Sequence, residues 1–188
     1  MTKLFIIVNE DVFFLSHRKD LGVAAHRDGF DVTVVCKDTG LHTDIQSLGL
    51  RTINMPINPT GMSLSDEWRT LRFLYHLYRT ERPDIVHHVG LKAMLWGGLA
   101  ARLTHVGGVV NAVSGLGTMF NGNKPSMMAR VIMAFLRFSN RRKGVVTIFQ
   151  NHDDEAIFFD NHIVRSEDSV FIKGSGVDLN NFCFTPLP

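Results

Sequence analysis

Four short groups of side chains in this sequence could do chemistry on an oxygen-rich ligand. Glu10-Asp11-Val12-Phe13-Phe14-Leu15-Ser16-His17-Arg18 sets carboxylates, aromatic rings, an imidazole and a guanidinium close together. Glu10, Phe14, His17 and Arg18 are candidates to line a ligand cleft; the alternatives are that the rings bury against a second domain or fill the domain's own core. His87-His88 closes an apolar run. Successive strand residues point to opposite faces, so one imidazole meets the cleft and the other packs on a helix. His88, nearer the strand end, is the better cleft candidate, against the plain alternative of a histidine satisfied inside the fold. Lys92 brings a cation to the same rim, or simply sits on a solvated helix start. Ser114-Gly115-Leu116-Gly117-Thr118 is small enough for a backbone to approach a ligand and offer it free amides. It reads equally as a turn that needs positive φ. Asn151 opens the last such loop.

Some chemistry is absent. A dinucleotide fold needs G-x-G-x-x-G directly after its first strand, so that the backbone can reach a pyrophosphate. Here that strand runs into Asn9-Glu10-Asp11, with two carboxylates and no glycine. A P-loop pattern is missing as well, as are a Ser–His–Asp arrangement and any metal-ligand spacing.

The elements that must position these groups are legible as alternating runs. Leu4–Val8, Val32–Cys36, Thr52–Met55, Ile85–His88, Val109–Val113, Val145–Phe149 and Val170–Ile172 are short, unbroken and largely β-branched, as strands buried on both faces are. Between them the spacing predicts helices near 15–28, 41–48, 65–81, 91–104, 126–140 and 152–160. Strand–helix alternation predicts an α/β fold, a Rossmann-like doubly wound parallel sheet of about seven strands. Ligands then sit beyond the carboxyl ends of the strands. Residues 1–173 form one domain, and 174–188, ending Thr185-Pro186-Leu187-Pro188, read as a linker.

Composition narrows the class. Hydrophobic residues are 45%, charged residues 20%, and the net charge is +2, so this is a globular chain with no broad nucleic-acid-coating charge. Cys36 and Cys183 are too far apart in sequence to suggest a disulfide framework, and a reducing cytosol is expected. The apolar start Leu4–Val8 is too short for a signal peptide. On the 65–81 helix, Trp68, Leu71, Leu74, Tyr75 and Tyr78 share one side, beside a stripe of Arg69, Arg72, His76 and Arg79. Trp68, Arg69, Arg72 and Arg79 are therefore candidates for contact with anionic lipid; the alternative is a solvated basic face. The 126–140 helix is apolar nearly all round, so it is buried or touches a membrane or partner.

In order and spacing, several of these pieces resemble one family. Phe14-Leu15-Ser16-His17-Arg18 looks like the loop-to-helix entry of retaining, family 4 glycosyltransferases of the GT-B fold. Arg82-Pro83-Asp84-Ile85-Val86-His87-His88 is similar to their strand of the form RPDIVHxH. Asn111-Ala112-Val113-Ser114-Gly115-Leu116-Gly117 resembles the loop of enzymes that elongate lipid-linked glycans and surface polysaccharides. Lys173-Gly174-Ser175-Gly176-Val177-Asp178 through Phe182 resembles their hinge phrase. The resemblance implies a bacterial N-terminal, acceptor-binding half joined by the hinge to a C-terminal half that holds a nucleotide-sugar donor, expected to be a UDP-sugar. It implies no cofactor and no metal on this half, a glycan or polyprenyl-linked acceptor as partner, and a place in the cytoplasm at the inner face of the membrane. The fragment alone is then expected to be inactive, since the donor-binding residues lie in the other half. No particular catalytic residue is implied: Ser114 stands where many members carry a histidine that contacts the donor sugar. A non-catalytic α/β binding or interaction module on the same fold is the alternative reading.

Overall fold

The computed structural model describes residues 1–59, 61, 63–115 and 126–176. Its centre is a seven-stranded sheet, parallel throughout, in the order β3-β2-β1-β4-β5-β6-β7. The strands are β1 (Lys3–Glu10), β2 (Asp31–Lys37), β3 (Arg51–Asn54), β4 (Ile85–Val89), β5 (Gly108–Val113), β6 (Val145–Phe149) and β7 (Ser169–Phe171). Each agrees with its predicted run to within a few residues. The helices are α1 (Asp11–His17), α2 (Lys19–Arg27), α3 (His42–Ser47), α4 (Leu64–Glu81), α5 (Leu91–Leu103), α6 (Met127–Asn140) and α7 (His152–Asp160). Chain order reverses direction across the sheet between β1 and β4, which makes that junction the switch point where α/β sheets open a crevice.

The predicted single helix 15–28 is corrected: two helices, α1 and α2, cover 11–27. β1 runs straight into α1, because Glu10 stays extended at φ −141° and Asp11 takes the first helical turn. The Asp11 carboxylate is fully buried and accepts from the amides of Val12, Thr39 and Leu41 and from the Thr39 hydroxyl. Burial alone would raise its pKa; the bonds from Thr39, Leu41 and Val12 outweigh that and hold it below the usual value. The helix then breaks at Arg18, at φ −131° and ψ −1°.

The two faces of the sheet are covered unequally. On one face α4 and α5 pack over Phe5, Ile7, Val86 and Val109, and α6 and α7 over Val113 and Phe149. On the other, α1, α2 and α3 cover the β1–β2–β3 side, through Ile6, Val34 and Phe14, with Val89 and Ala112 joining the same cluster. Val146, Val170 and Ile172, beyond that cover, are exposed.

Under α4 and α6 lies a polar chain whose direction is fixed at one end. The Leu136 carbonyl accepts from Asn140 Nδ2 at 2.7 Å, so Asn140 Oδ1 must face Asn111 Nδ2, 2.7 Å away. Asn111 Oδ1 then accepts from His88 Nδ1 at 2.9 Å, and the bare His88 Nε2 accepts from the Tyr78 hydroxyl at 3.0 Å. His88 is therefore a neutral Nδ1–H tautomer, set by its partners. Burial pushes its pKa down to about 4, against the Asn111 bond.

Two outcomes follow from this packing. The folded chain holds His88 neutral while the unfolded chain takes a proton near pH 6.5, so the unfolded state binds more protons between those values. The melting temperature is expected to fall as pH drops from about 6.5 to about 4, and H88Q to flatten that slope; an unchanged slope refutes it. The second outcome concerns Gly97, where an added Cβ would lie 2.4 Å from His88 Nε2. G97A is expected to cost about 1–3 kcal/mol by overpacking, despite the better helix propensity of alanine, read as a lower denaturation midpoint.

Candidate acceptor cleft

Beyond the carboxyl ends of the strands a trench of about 220 Å³ lies between the α1–α2 break and the open sheet face. Arg18, His17 and Ser16 line one wall, His87 and Gln150 the floor, and Ser175 the far rim. Arg18 is only 7% exposed. One of its terminal nitrogens donates to the His17 carbonyl at 3.1 Å and to Ser175 Oγ at 2.5 Å. Its Nε is enclosed with no acceptor among the described residues. Burial lowers the Arg18 pKa, yet a guanidinium remains charged.

The histidine parity is reversed from expectation. His88 is fully buried in the polar chain and does not reach the cleft. His87 lines the trench instead. Its Nδ1 donates to the Val110 carbonyl at 3.2 Å, leaving Nε2 bare. Burial, and next the charge of Arg18, depress its pKa to about 4, so it is neutral and can accept a hydrogen bond. Position along the strand misled; the alternation of faces was the informative signal.

Three further candidates are corrected. Phe14 is fully buried against Gly22, where an added Cβ would lie 2.9 Å from its ring. It belongs to the core because α1 starts earlier than expected. Lys92 is no free rim cation: it pairs with Glu67 at 2.7 Å and donates to the carbonyls of Asn58, at 2.7 Å, and Gly61. Glu67 also accepts from the Trp96 indole, so Lys92 clamps the segment after β3 to α4 and α5. Asn151 caps α7, accepting from the Asp154 amide and donating to its carboxylate, both at 2.8 Å.

The others fall at the strand ends. Glu10 ends β1, half-buried, in register with Lys37. Ser114 and Gly115 are exposed just after β5, and Gly90 comes close enough that a Cβ there would lie 3.8 Å from Ser114 Oγ. Gly115 sits at φ +113°, so the turn needs glycine on backbone grounds alone. Gly117 and the hinge phrase from Val177 onward lie outside the described residues. Sequence reasoning missed Asn9, whose Oδ1 is enclosed at the end of β1 without a donor among the described residues.

One cluster has metal-like proximity: ligand atoms of Asp11, Asp38 and His42 lie within 4.8 Å of one another. The Asp11 oxygens already accept four hydrogen bonds, and His42 Nε2 lies 3.3 Å from Cys36 Sγ. The carboxylate is spent on pinning 39–41, so the cluster reads as a fold lock.

The candidate lipid-contact residues of α4 are all on its outer side. Trp68 is 64% exposed, and Arg69, Arg72, His76 and Arg79 are exposed. Only Leu74, Tyr78 and Thr70 of α4 are buried, so Trp68 does not share the core side with Leu74. Across a groove from Leu64 and Glu67, α6 presents Met128, Val131 and Phe135. Its inner side buries Ala129, Ile132, Met133 and Leu136, so α6 is both packed and exposed. No helix among the described residues is long and apolar enough to cross a membrane.

Comparison with known proteins places this geometry. Residues 3–148 match the family model described as glycosyl transferase 4-like. Over 153 residues the chain is 29% identical to the Escherichia coli UDP-Gal:alpha-D-GlcNAc-diphosphoundecaprenol alpha-1,3-galactosyltransferase, covering 81% of this chain and 38% of that protein. Among solved structures, Anabaena Alr3699/HepE in complex with UDP and glucose superimposes with a TM-score of 0.68 at 14% identity, over 99% of this chain and 47% of that one. A glycosyltransferase from Rickettsia africae gives 0.64 at 16% identity, over 98% and 46%. The chain thus spans less than half the length of these proteins, and its fold is that of one half of a GT-B glycosyltransferase. With the parallel sheet, the switch-point trench and the match over residues 3–148 together, the chain belongs to the glycosyl transferase 4-like family.

Proposed function

We propose that this chain is the acceptor-binding half of a glycosyltransferase that moves a sugar from a nucleotide-sugar donor, expected to be a UDP-sugar, to a glycan or lipid-linked acceptor. The observation that carries the reading is the family match over residues 3–148, joined to a relative whose name specifies a diphosphoundecaprenol-linked acceptor. The trench supports it. It opens where α/β sheets bind ligands, and it offers a hydroxyl, a neutral imidazole and a guanidinium suited to an oxygen-rich molecule. Cell-surface polysaccharide synthesis is the setting such an acceptor implies.

In this reading the half aligns the acceptor, and rate comes from holding it beside a donor bound on a second domain. Ser114 and Gly115 lie in the turn nearest that donor; His17 and Arg18 hold the acceptor side. Residues 174–188 connect the two halves. The test measures UDP release from several UDP-sugars with a synthetic GlcNAc-diphosphate lipid. The chain extended by a donor-binding domain is expected to form product, and the 188-residue chain alone to form none. Product from the chain alone, or none from the extended protein, overturns the proposal.

A lipid-linked acceptor brings the enzyme to a membrane surface, at the cytoplasmic face in this reading. Trp68, Arg69, Arg72 and Arg79 on α4, with the exposed apolar residues of α6 beside them, suit peripheral contact. Each cation near an anionic surface contributes on the order of 1 kcal/mol. The chain is expected to pellet with phosphatidylglycerol vesicles at low salt and release at high salt. Changing Arg69, Arg72 and Arg79 to Glu is expected to abolish pelleting with the fold intact; equal pelleting by that variant removes α4 as the anchor.

A further inference from the structure

Among the described residues, Arg18 is the one lysine or arginine that is buried. It is more than nine-tenths buried, and no carboxylate pairs with it among the described residues. A buried charge is tolerated when it is paired, and an unpaired one costs several kcal/mol. Its existing partners, a backbone carbonyl and a serine hydroxyl, are neutral acceptors on a single nitrogen, and Nε faces none. The fork that remains has the geometry that matches phosphate oxygens in pairs.

The surroundings share the sign. Arg18 is the residue at which α1 breaks and α2 begins, so the first-turn amides of Lys19, Asp20 and Leu21 have no acceptor further back in their own helix. All three residues line the same trench. Helix starts favour anions, and α2 at nine residues is long enough to carry that polarity. Lys19 adds a second cation and Asp20 an opposing carboxylate. Ser16 and Ser175 supply hydroxyls, and His87, neutral with Nε2 bare, can accept from a protonated or hydroxylated neighbour.

We infer that this trench is a diphosphate site, with the Arg18 guanidinium as its fixed charge and the first turn of α2 and the Ser175 hydroxyl completing the cradle. The inference rests on the glycosyltransferase reading only for the two sources of that group, an isoprenoid-diphosphate acceptor and a nucleoside-diphosphate donor. Ser175 follows β7 at the start of the hinge phrase, so an anion seated here also ties the hinge to α2.

Titration calorimetry of the 188-residue chain with inorganic pyrophosphate tests the site without any sugar transfer. A failure here therefore leaves the transfer reading standing, and the reverse. Wild type is expected to bind, and R18Q to bind at least roughly tenfold more weakly, the scale of one lost charge-assisted contact. R18K, which keeps the charge and loses the fork, is expected to fall between them. The melting temperature of R18Q should hold or rise, since an unpaired buried charge has been removed; a structural arginine would lower it. Displacement of pyrophosphate by farnesyl diphosphate assigns the site to the acceptor, and displacement by UDP assigns it to the donor. Equal binding by R18Q and wild type, no binding by wild type at millimolar pyrophosphate, or displacement by neither compound overturns the inference. D178N removes the carboxylate two residues beyond Gly176 and is expected to leave affinity within about twofold. A tenfold gain means that the chain's own carboxylate is the partner of Arg18, and also overturns it.

Discussion

One backbone carbonyl, that of Leu136, sets the polarity of everything beneath α4 and α6. Because it can only accept, it orients Asn140, which orients Asn111, which selects the tautomer of His88, which in turn requires the Tyr78 hydroxyl as donor. Four side chains on α4, β4, β5 and α6 are thereby held in one arrangement, and Gly97 on α5 leaves room for the imidazole among them. A buried polar chain of this kind is favourable only when every member is satisfied, so it specifies packing more than it adds stability. The imidazole on the neighbouring residue depends on it. With His88 fixed on the helix-covered face, His87 is committed to the opposite face and hence to the trench.

The trench exists because the sheet is covered unevenly. α1, α2 and α3 stop at the switch point, and the β5–β7 side of that face carries exposed valine and isoleucine. The edge of that cover is the α1–α2 break. A site at such an edge obtains rigid walls from the sheet and a helix start for polarity, without a glycine-rich loop. That answers the puzzle of a first strand running into two carboxylates: Asp11 is turned inward to hold 39–41, and the charge that meets the cleft is Arg18, about two turns further on.

Strands and most helices were legible because their signal is local. Unbroken β-branched runs such as Val109–Val113 have few other uses, and Ser126 caps α6 where a helix start was expected, accepting from the Ala129 amide. The candidate site was less legible, because its composition depends on parity and on partners distant in sequence. Nothing near Lys92 announces the carbonyls of Asn58 and Gly61. Phe14 looked like a loop aromatic only because α1 begins at Asp11 with no side-chain cap from Glu10. His17 and Arg18 were singled out by their types and line the trench, whereas Ser114 and Gly115, singled out by their place after a central strand, are exposed there and are not among its lining. The burial of Arg18 without a counter-charge is a fact of three dimensions that no spacing encodes.

The strand order has a consequence for the order of events during synthesis. β1 emerges first but is interior to the finished sheet: Leu4 pairs with Val32 on one side and with Ile85 on the other. Its second edge therefore waits for β4, and the Lys3 amide meets the Asp84 carboxylate across 81 residues of chain. Until that segment has left the ribosome, a strand with a fully buried apolar centre, Phe5 to Val8, carries an open ladder of amides and carbonyls. Non-local pairing of this kind is slow and exposed to wrong partners. The nascent chain has to shelter that edge before it has anything of its own with which to close it.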